Sequence, residues 1–241
     1  MNEPKCLIIA AGEGSRLNSR GPSKPLIAVR GVPLIERAIR GAGMAGVRDF
    51  CVVTGYRSDE VRRFLDEMAL RAEASITHVV NDEWHRANGV SVLAARNSFG
   101  APFLLMMSDH LFDWGIVRDL IACPPGDGEI TLAVDHNLSN PLVDLDDVTR
   151  VRSEAGKLTD IGKGLTDFNA FDTGIFFCTP ALFTALDQSI LTNADESLSG
   201  GVRALVEMGR VNAFDIGDRF WLDVDSPVAL DHAETALAEQ A

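Results

Sequence analysis

The sequence predicts an α/β fold: a Rossmann-like, mostly parallel sheet with helices on both faces and a small antiparallel insertion. Three observations carry that prediction. Apolar, β-branched runs around residues 5–10, 50–55, 76–80 and 103–107 alternate with stretches of helical spacing, and the joints between them are short and contain glycine. From 130 to 135 and from 148 to 161 the pattern changes to short strands with turns such as Ala155-Gly156, as antiparallel pairing requires. No linker or shift in composition divides the 241 residues, so a single domain over 1–241 is expected.

Taken in order, the first element is an apolar run, Lys5 to Ala11, that breaks into Gly12-Glu13-Gly14-Ser15-Arg16-Leu17 and reads as a buried strand feeding a tight loop. Pro33 to Met44 has helical spacing, with Leu34, Ile35, Ala38 and Ile39 on one side, and Gly43 and Gly46 end it. Phe50 to Gly55 is a second buried strand. Ser58 to Ala72 is an amphipathic helix, with Ser58 as its cap and Asp59 and Glu60 in its first turn. Ile76 to Val80 is a third strand, and Ser91 to Arg96 a helix. Phe103 to Met107 is the most apolar strand and is expected at the sheet centre, stopping at Ser108-Asp109-His110. Phe171 to Phe177 is a strand whose Gly174 marks a close approach. Residues 181–188 and 201–208 read as helices, and Val228 to Gln240 as a closing helix begun near Ser226-Pro227.

The totals exclude several classes of function. The chain opens on a polar segment, its first apolar run is too short for a secretory core, and no apolar stretch approaches membrane-spanning length, so a cytoplasmic protein is expected. Cys6, Cys51, Cys123 and Cys178 stand far apart and read as reduced core residues, neither ligands nor disulfides. A net charge of −13 repels a nucleic-acid backbone over most of the surface, so nucleic acid is not expected as a partner. An acidic protein that binds an anion must concentrate its cations, and there are only four lysines. Lys24 follows the glycine loop, and Lys163 sits in Gly162-Lys163-Gly164.

The glycine loop exposes successive backbone N–H groups, which form a concave anion site suited to polyphosphate, with Arg16 and Lys24 beside it. It is not a Walker loop, because no Gly-x4-Gly-Lys-Ser/Thr is present, and the dinucleotide fingerprint fails at Leu17. Ala-Ala-Gly-x-Gly-x-Arg-Leu, a downstream Lys24-Pro25, and then Val29-Arg30-Gly31-Val32-Pro33 resemble the signature of nucleotidyltransferases that join a nucleoside triphosphate to a sugar or alcohol phosphate.

Such a transfer needs positioning, cations on the phosphates and a magnesium ion held by one or two carboxylates. Asp109, at the end of the most apolar strand, and Asp225, in Asp223-Val224-Asp225-Ser226-Pro227, are the candidate ligands; Asp223, two residues away, is the alternative to Asp225. His110 has no second histidine at ligand spacing and is expected to orient its neighbour. No Ser-His-Asp triad or partnered cysteine is legible, which disfavours covalent catalysis.

Met107-Ser108-Asp109-His110, Asp160 to Leu165, Phe171-Asp172-Thr173-Gly174 and Phe220 to Pro227 narrow the match. Together they resemble the CTP:inositol-1-phosphate cytidylyltransferases, the soluble half of enzymes that make di-myo-inositol phosphate phosphate. The resemblance implies a sugar-nucleotidyltransferase fold of GT-A type, a magnesium cofactor, and formation of CDP-inositol and pyrophosphate from CTP and inositol-1-phosphate. It implies that Ala10, Ala11, Gly12 and Gly14 meet the nucleotide, with Asn88, Gly89 and Ser91 near cytosine and ribose. Arg16 and Lys24 would cover its phosphates, and Asp109 and Asp225 would hold the metal. Lys163 would receive the acceptor phosphate, and Asp172, Thr173 and Gly174 would line the acceptor pocket. Glu13 departs from the pattern by placing a carboxylate in the phosphate loop and is expected to face solvent. The family's membrane-embedded half is not among these residues, so a separate membrane transferase is expected to use the product. Other acceptors stay open: phosphocholine held in a cage drawn from Trp84, Trp114 and Trp221, another phospho-alcohol or phosphonate, or a hexose-1-phosphate with a different nucleotide. A nucleotide-sensing domain without turnover is the alternative outside the enzymes.

Overall fold

The computed structural model describes residues 4–17, 19–21 and 23–239. Its strands and helices are, in chain order, β1 (Lys5–Ala10), β2 (Ala28–Val29), β3 (Val32–Pro33), α1 (Leu34–Met44), β4 (Asp49–Thr54), α2 (Ser58–Ala72), β5 (Ser75–Val80) and α3 (Asn88–Ala94). There follow β6 (Phe103–Met107), β7 (His110–Phe112), α4 (Trp114–Ala122), β8 (Ile130–Asp135), β9 (Arg150–Glu154), β10 (Lys157–Gly162) and β11 (Ala170–Cys178). The chain closes with α5 (Ala181–Asn193), α6 (Leu198–Glu207), β12 (Val211–Asp215), β13 (Trp221–Asp223) and α7 (Pro227–Glu239).

One nine-stranded sheet runs β5-β4-β1-β6-β11-β8-β12-β10-β9. Its first four strands are mutually parallel, as the βαβ spacing requires, and β6 lies fourth of nine. β11 then pairs antiparallel with β6, so the start of β11 comes to the same edge as the carboxyl end of β6. The antiparallel strands β9 and β10 extend this sheet at its far edge and do not form a layer of their own.

Both faces are covered. Leu7, Val53, Phe103, Leu105 and Phe176 pack with Val92 of α3, Leu186 of α5 and Leu205 of α6. On the other face Ile8, Val52, Leu104 and Phe177 meet Ile35 and Ile39 of α1, Leu65 of α2 and Leu120 of α4. A third cluster joins Leu17, Val29 and Leu34 to Leu222, Val224 and Leu230, which seats α7 and the β13 strand beside the first loop.

Several boundaries differ from expectation. Arg57, not Ser58, caps α2, in a left-handed conformation (φ 50°), and the Ser58 hydroxyl meets Thr54 Oγ1 at 2.8 Å. The helix expected at 91–96 begins at Asn88 and gives way to a 3-10 turn at Arg96–Ser98. Helix α4 and strands β7 and β12 were not expected; α4 is capped by Asp113, whose Oδ1 accepts the Gly115 N–H at 2.7 Å. Strand β13 ends at Asp223, so Asp223 and Asp225 do not share a strand. Gln240, the expected end of the last helix, lies outside the described residues.

Candidate active site

The parallel strands β1 and β6 aim their carboxyl ends at one edge of the sheet, where ligands gather in such folds. The start of β11 and the 136–149 segment that follows β8 arrive at the same edge. Together they enclose a cavity of about 350 Å³. The wall includes Gly12 and Gly14 from the first loop, Lys24, Asn88, Asp109, Lys163, Asp172, Gly174, Asp223 and Asp225. Residues separated by as much as two hundred positions thus share one wall.

The first loop shows why its glycines are where they are. Gly14 has φ 65°, and a side chain there would run into Lys24. The lysine stem crosses the loop at that point and reaches the Asp109 carboxylate, with Asp223 at 3.9 Å. Gly12 is different: nothing stands within 4 Å of where its Cβ would be, so the loop is open to approach on that side. Ala10 lines the cavity, while Ala11 is buried and its carbonyl accepts the Tyr56 N–H at 2.9 Å. Glu13 is half-buried, not turned fully to solvent.

Three cations and four carboxylates interlock. Arg16 Nη2 meets Asp225 Oδ2 at 2.7 Å and Asp147 Oδ2 at 2.8 Å, and Lys163 Nζ meets Asp147 Oδ1 at 2.5 Å. His110 Nδ1 lies 2.7 Å from the Thr173 carbonyl, and its Nε2 lies 3.5 Å from Asp223 and 3.9 Å from Asp109. Gly174, at φ 72°, leaves the room that this imidazole needs, because a Cβ there would overlap the ring.

The charges set one another. Burial works against protonated His110, but the Asp223 and Asp109 carboxylates outweigh it and raise its pKa to about 9. Burial also opposes ionisation of Asp223, yet the His110 and Lys24 charges bring it below the usual carboxylate value. Asp225 is pushed up to about 6 by burial, by the nearby Asp223 charge and by its hydrogen bond to Asp147. Asp172 also rises to about 6 through burial, although it accepts the Gly174 N–H at 2.7 Å. In Asp147 burial is overcome by hydrogen bonds from Lys163 and Arg16, which hold it well below the ordinary range.

Among the described residues, side chains that could ligate a metal fall into two groups that share Asp223: Asp109, His110 and Asp223, and Asp147, Asp223 and Asp225. All but the histidine offer hard oxygen donors, which suit magnesium. Asp223 Oδ1 is buried with His110 Nε2 at 3.5 Å and Lys24 Nζ at 3.9 Å but makes no close hydrogen bond, a shortfall that a bound cation would make good. These residues therefore fit a divalent metal, with Asp223 between the two aspartates expected to hold it.

Other expected residues have structural duties. Asn88 lines the cavity, and its Oδ1 accepts the Leu198 N–H at 2.8 Å, joining the starts of α3 and α6. Gly89 is packed so closely on the Glu196 carbonyl and Leu186 that no Cβ fits. Ser91 is buried and accepts a hydrogen bond from Asn81 Nδ2 at 2.9 Å. Thr173 donates its hydroxyl to the Ala133 carbonyl at 2.8 Å. The tryptophans do not converge: Trp221 lines the cavity, Trp84 packs on Tyr56, and Trp114 lies under Arg118.

Sequence reasoning missed Asp147, Asp144 and the apolar Leu142, Val143 and Val148, all on the 136–149 segment. In a chain this acidic, Asp144-Leu-Asp-Asp carries no mark that sets it apart.

Comparison with known proteins identifies the family and the fold. Residues 6–168 match the MobA-like NTP transferase domain. The chain belongs to that family. The chain is therefore a nucleotidyltransferase, and its fold is shared with solved nucleotide transferases. The inositol-1-phosphate CTP transferase of T. maritima superposes with a TM-score of 0.83 over 99% of this chain and 98% of the other, at 22% identity. A bifunctional IPC transferase and DIPP synthase of Rubrobacter xylanophilus is 35% identical over 91% of this chain and 49% of its own length. A 2-aminoethylphosphonate cytidylyltransferase of Lancefieldella rimae is 30% identical over 72% of this chain and 67% of its own. The chain spans about half the length of the bifunctional relatives it matches. No described helix is long and apolar enough to cross a membrane.

Proposed function

We propose that this nucleotidyltransferase is a magnesium-dependent cytidylyltransferase, a single domain over 1–241, that joins CTP to inositol-1-phosphate and releases pyrophosphate. The observation that carries the reading is the gathering of Lys24 with Asp109 and Asp223, and of Lys163 with Asp147, in the wall of one cavity, with Arg16 reaching the wall at Asp225 and Asp147. Phosphoryl transfer asks for cations around the phosphates and carboxylates for a metal, and for little else from the protein. The cytidylyltransferases among the relatives, two of which act on different phosphorus-bearing acceptors by name, support the choice of CTP.

In this reading the triphosphate lies along Gly12 and Gly14, whose N–H groups face it, under Arg16 and Lys24. Asp109, Asp223 and Asp225 would hold magnesium, which would supply positive charge to offset that of the phosphates. Lys163 holds the acceptor phosphate while one of its oxygens attacks the α-phosphorus of CTP; the bond to the β-phosphate oxygen breaks and pyrophosphate leaves. Asp172 and Gly174 line the acceptor side. Asn88 faces the nucleoside, with Gly89 and Ser91 fixing α3 behind it. A choline head would need an aromatic cage, and with Trp221 as the one tryptophan in the wall this acceptor is disfavoured.

The test is pyrophosphate release with magnesium, crossing CTP, UTP, GTP, ATP and dTTP against inositol-1-phosphate, 2-aminoethylphosphonate, phosphocholine and glucose-1-phosphate. Release confined to CTP with inositol-1-phosphate is expected. Release with CTP and another acceptor would reassign the pocket around Lys163 and Asp172, and no release with any pair would leave a nucleotide-sensing domain.

A further inference from the structure

Asp147 makes two bonds of the kind a phosphate makes. One carboxylate oxygen takes the Arg16 guanidinium, which it shares with Asp225 at 2.7 Å, and the other takes the Lys163 ammonium; the arginine comes from 131 positions away and the lysine from 16. Both cations are half-exposed, so neither is locked in place by packing. The carboxylate is delivered by a segment that is itself well held. Asp135, buried at the end of β8, accepts the Asn137 N–H at 2.8 Å, the Asn140 amide at 2.9 Å and the Trp221 indole at 2.7 Å. Leu142 and Val143 pack onto the core, and the Asp147 and Val148 N–H groups close a turn on the Asp144 carbonyl.

We propose that Asp147 is an affinity-setting residue of the phosphate site: a built-in competitor whose carboxylate holds Arg16 and Lys163 until a multiply charged phosphate takes them. The inference rests on the reading of these two cations as phosphate ligands. Like charge forbids the carboxylate and a phosphate to share them at contact distance, so the incoming anion must displace Asp147. Singly charged anions, which gain less from the two cations, are kept out by the same contact. The 144–148 turn, pinned on the cavity side by Asp147 alone among its carboxylates, then loses its tether to Arg16 and Lys163 when phosphate binds.

The experiment measures tripolyphosphate binding by titration calorimetry in EDTA, so that no metal takes part. Asp147→Asn keeps the shape and removes the charge. It should bind tripolyphosphate about five- to tenfold more tightly than the parent, the scale of one half-exposed ion-pair network. Asp146→Asn, its exposed neighbour on the same turn, should bind as the parent does. Asp147→Ser must behave like Asp147→Asn, and serves alone if the asparagine variant unfolds. Hydrogen exchange gives an independent reading: tripolyphosphate should speed exchange at the 146–148 amides of the parent, whereas a ligand usually slows it. Unchanged or weaker binding in the Asp147 variants, or equal tightening in Asp146→Asn, overturns the proposal. If Asp147→Asn tightens binding but no nucleotide turns over, the competitor stands and the cytidylyltransferase reading falls; turnover with no tightening gives the reverse.

Discussion

Gly12 and Gly14 stand two residues apart in one loop, and their surroundings give them different tasks. Gly14 has a positive φ and the Lys24 side chain lies where its Cβ would be, whereas the Cβ of Gly12 would meet nothing within 4 Å. Substitution should separate the two. Gly14→Ala should destabilise by about 1–2 kcal/mol from backbone strain, with more from the displaced lysine, seen as a lower melting temperature. Gly12→Ala should melt within a degree or two of the parent and yet lose pyrophosphate release, because its methyl would fill the open side of the loop that the proposed function gives to the phosphates. Equal melting of both variants with a fall in Gly14→Ala activity alone would contradict this division.

Helix α3 carries the comparable lesson at the scale of an element. The pair Asn88-Gly89 stands ahead of the helix expected at 91–96, near the nucleotide by family resemblance, and in space it opens a helix wedged against the start of α6. Gly89 meets the Glu196 carbonyl and the Leu186 side chain, neither of which can yield easily. Gly89→Ala should therefore cost about 1–3 kcal/mol through overpacking. In a chain of this size each kcal/mol lowers the melting temperature by about 2–4 °C. Scanning calorimetry reads the loss, and the KM for CTP of the folded protein should change less than about twofold, the outcome expected of packing and not of base recognition. A large rise in KM with no change in melting would return Gly89 to the nucleotide.

Across the whole molecule, the carboxylates gathered at the cavity make stability depend on pH. His110 has a folded pKa of about 9 against an ordinary 6.5. The folded state therefore binds its proton more tightly, and the resulting stability is complete below about pH 6.5 and lost as pH rises through about 9. Asp172 and Asp225, raised to about 6, also favour the protonated form in the fold, but their contribution is already lost by about pH 6–7. In EDTA the melting temperature should fall between pH 7.5 and 9.5, and His110→Gln should flatten that fall while lowering stability at pH 7. An unaltered slope in His110→Gln would place the titration elsewhere.

What the sequence by itself determined was local: the strand-loop-strand order of the parallel half, the glycine loop with Arg16 and Lys24, the helices α1 and α2, and the aspartates that end apolar runs. Those follow from periodicity, backbone permissiveness and charge, which are properties of neighbours along the chain. Strand β12 was not legible because Val211–Asp215 is half-buried and pairs with β8 some eighty residues away. Asp147 was not legible because its neighbours in sequence say nothing of its partners, Arg16 at 131 positions and Lys163 at 16. The choice of Asp223 as the carboxylate common to both ligand groups, the seating of His110 against Gly174, and the packing duty of Gly89 were likewise decided by tertiary structure. Coulomb interactions and close packing act through space, and the distances that set them exist only once the sheet has brought β1, β6 and β11 to one edge and β13 has paired with β7 beside it.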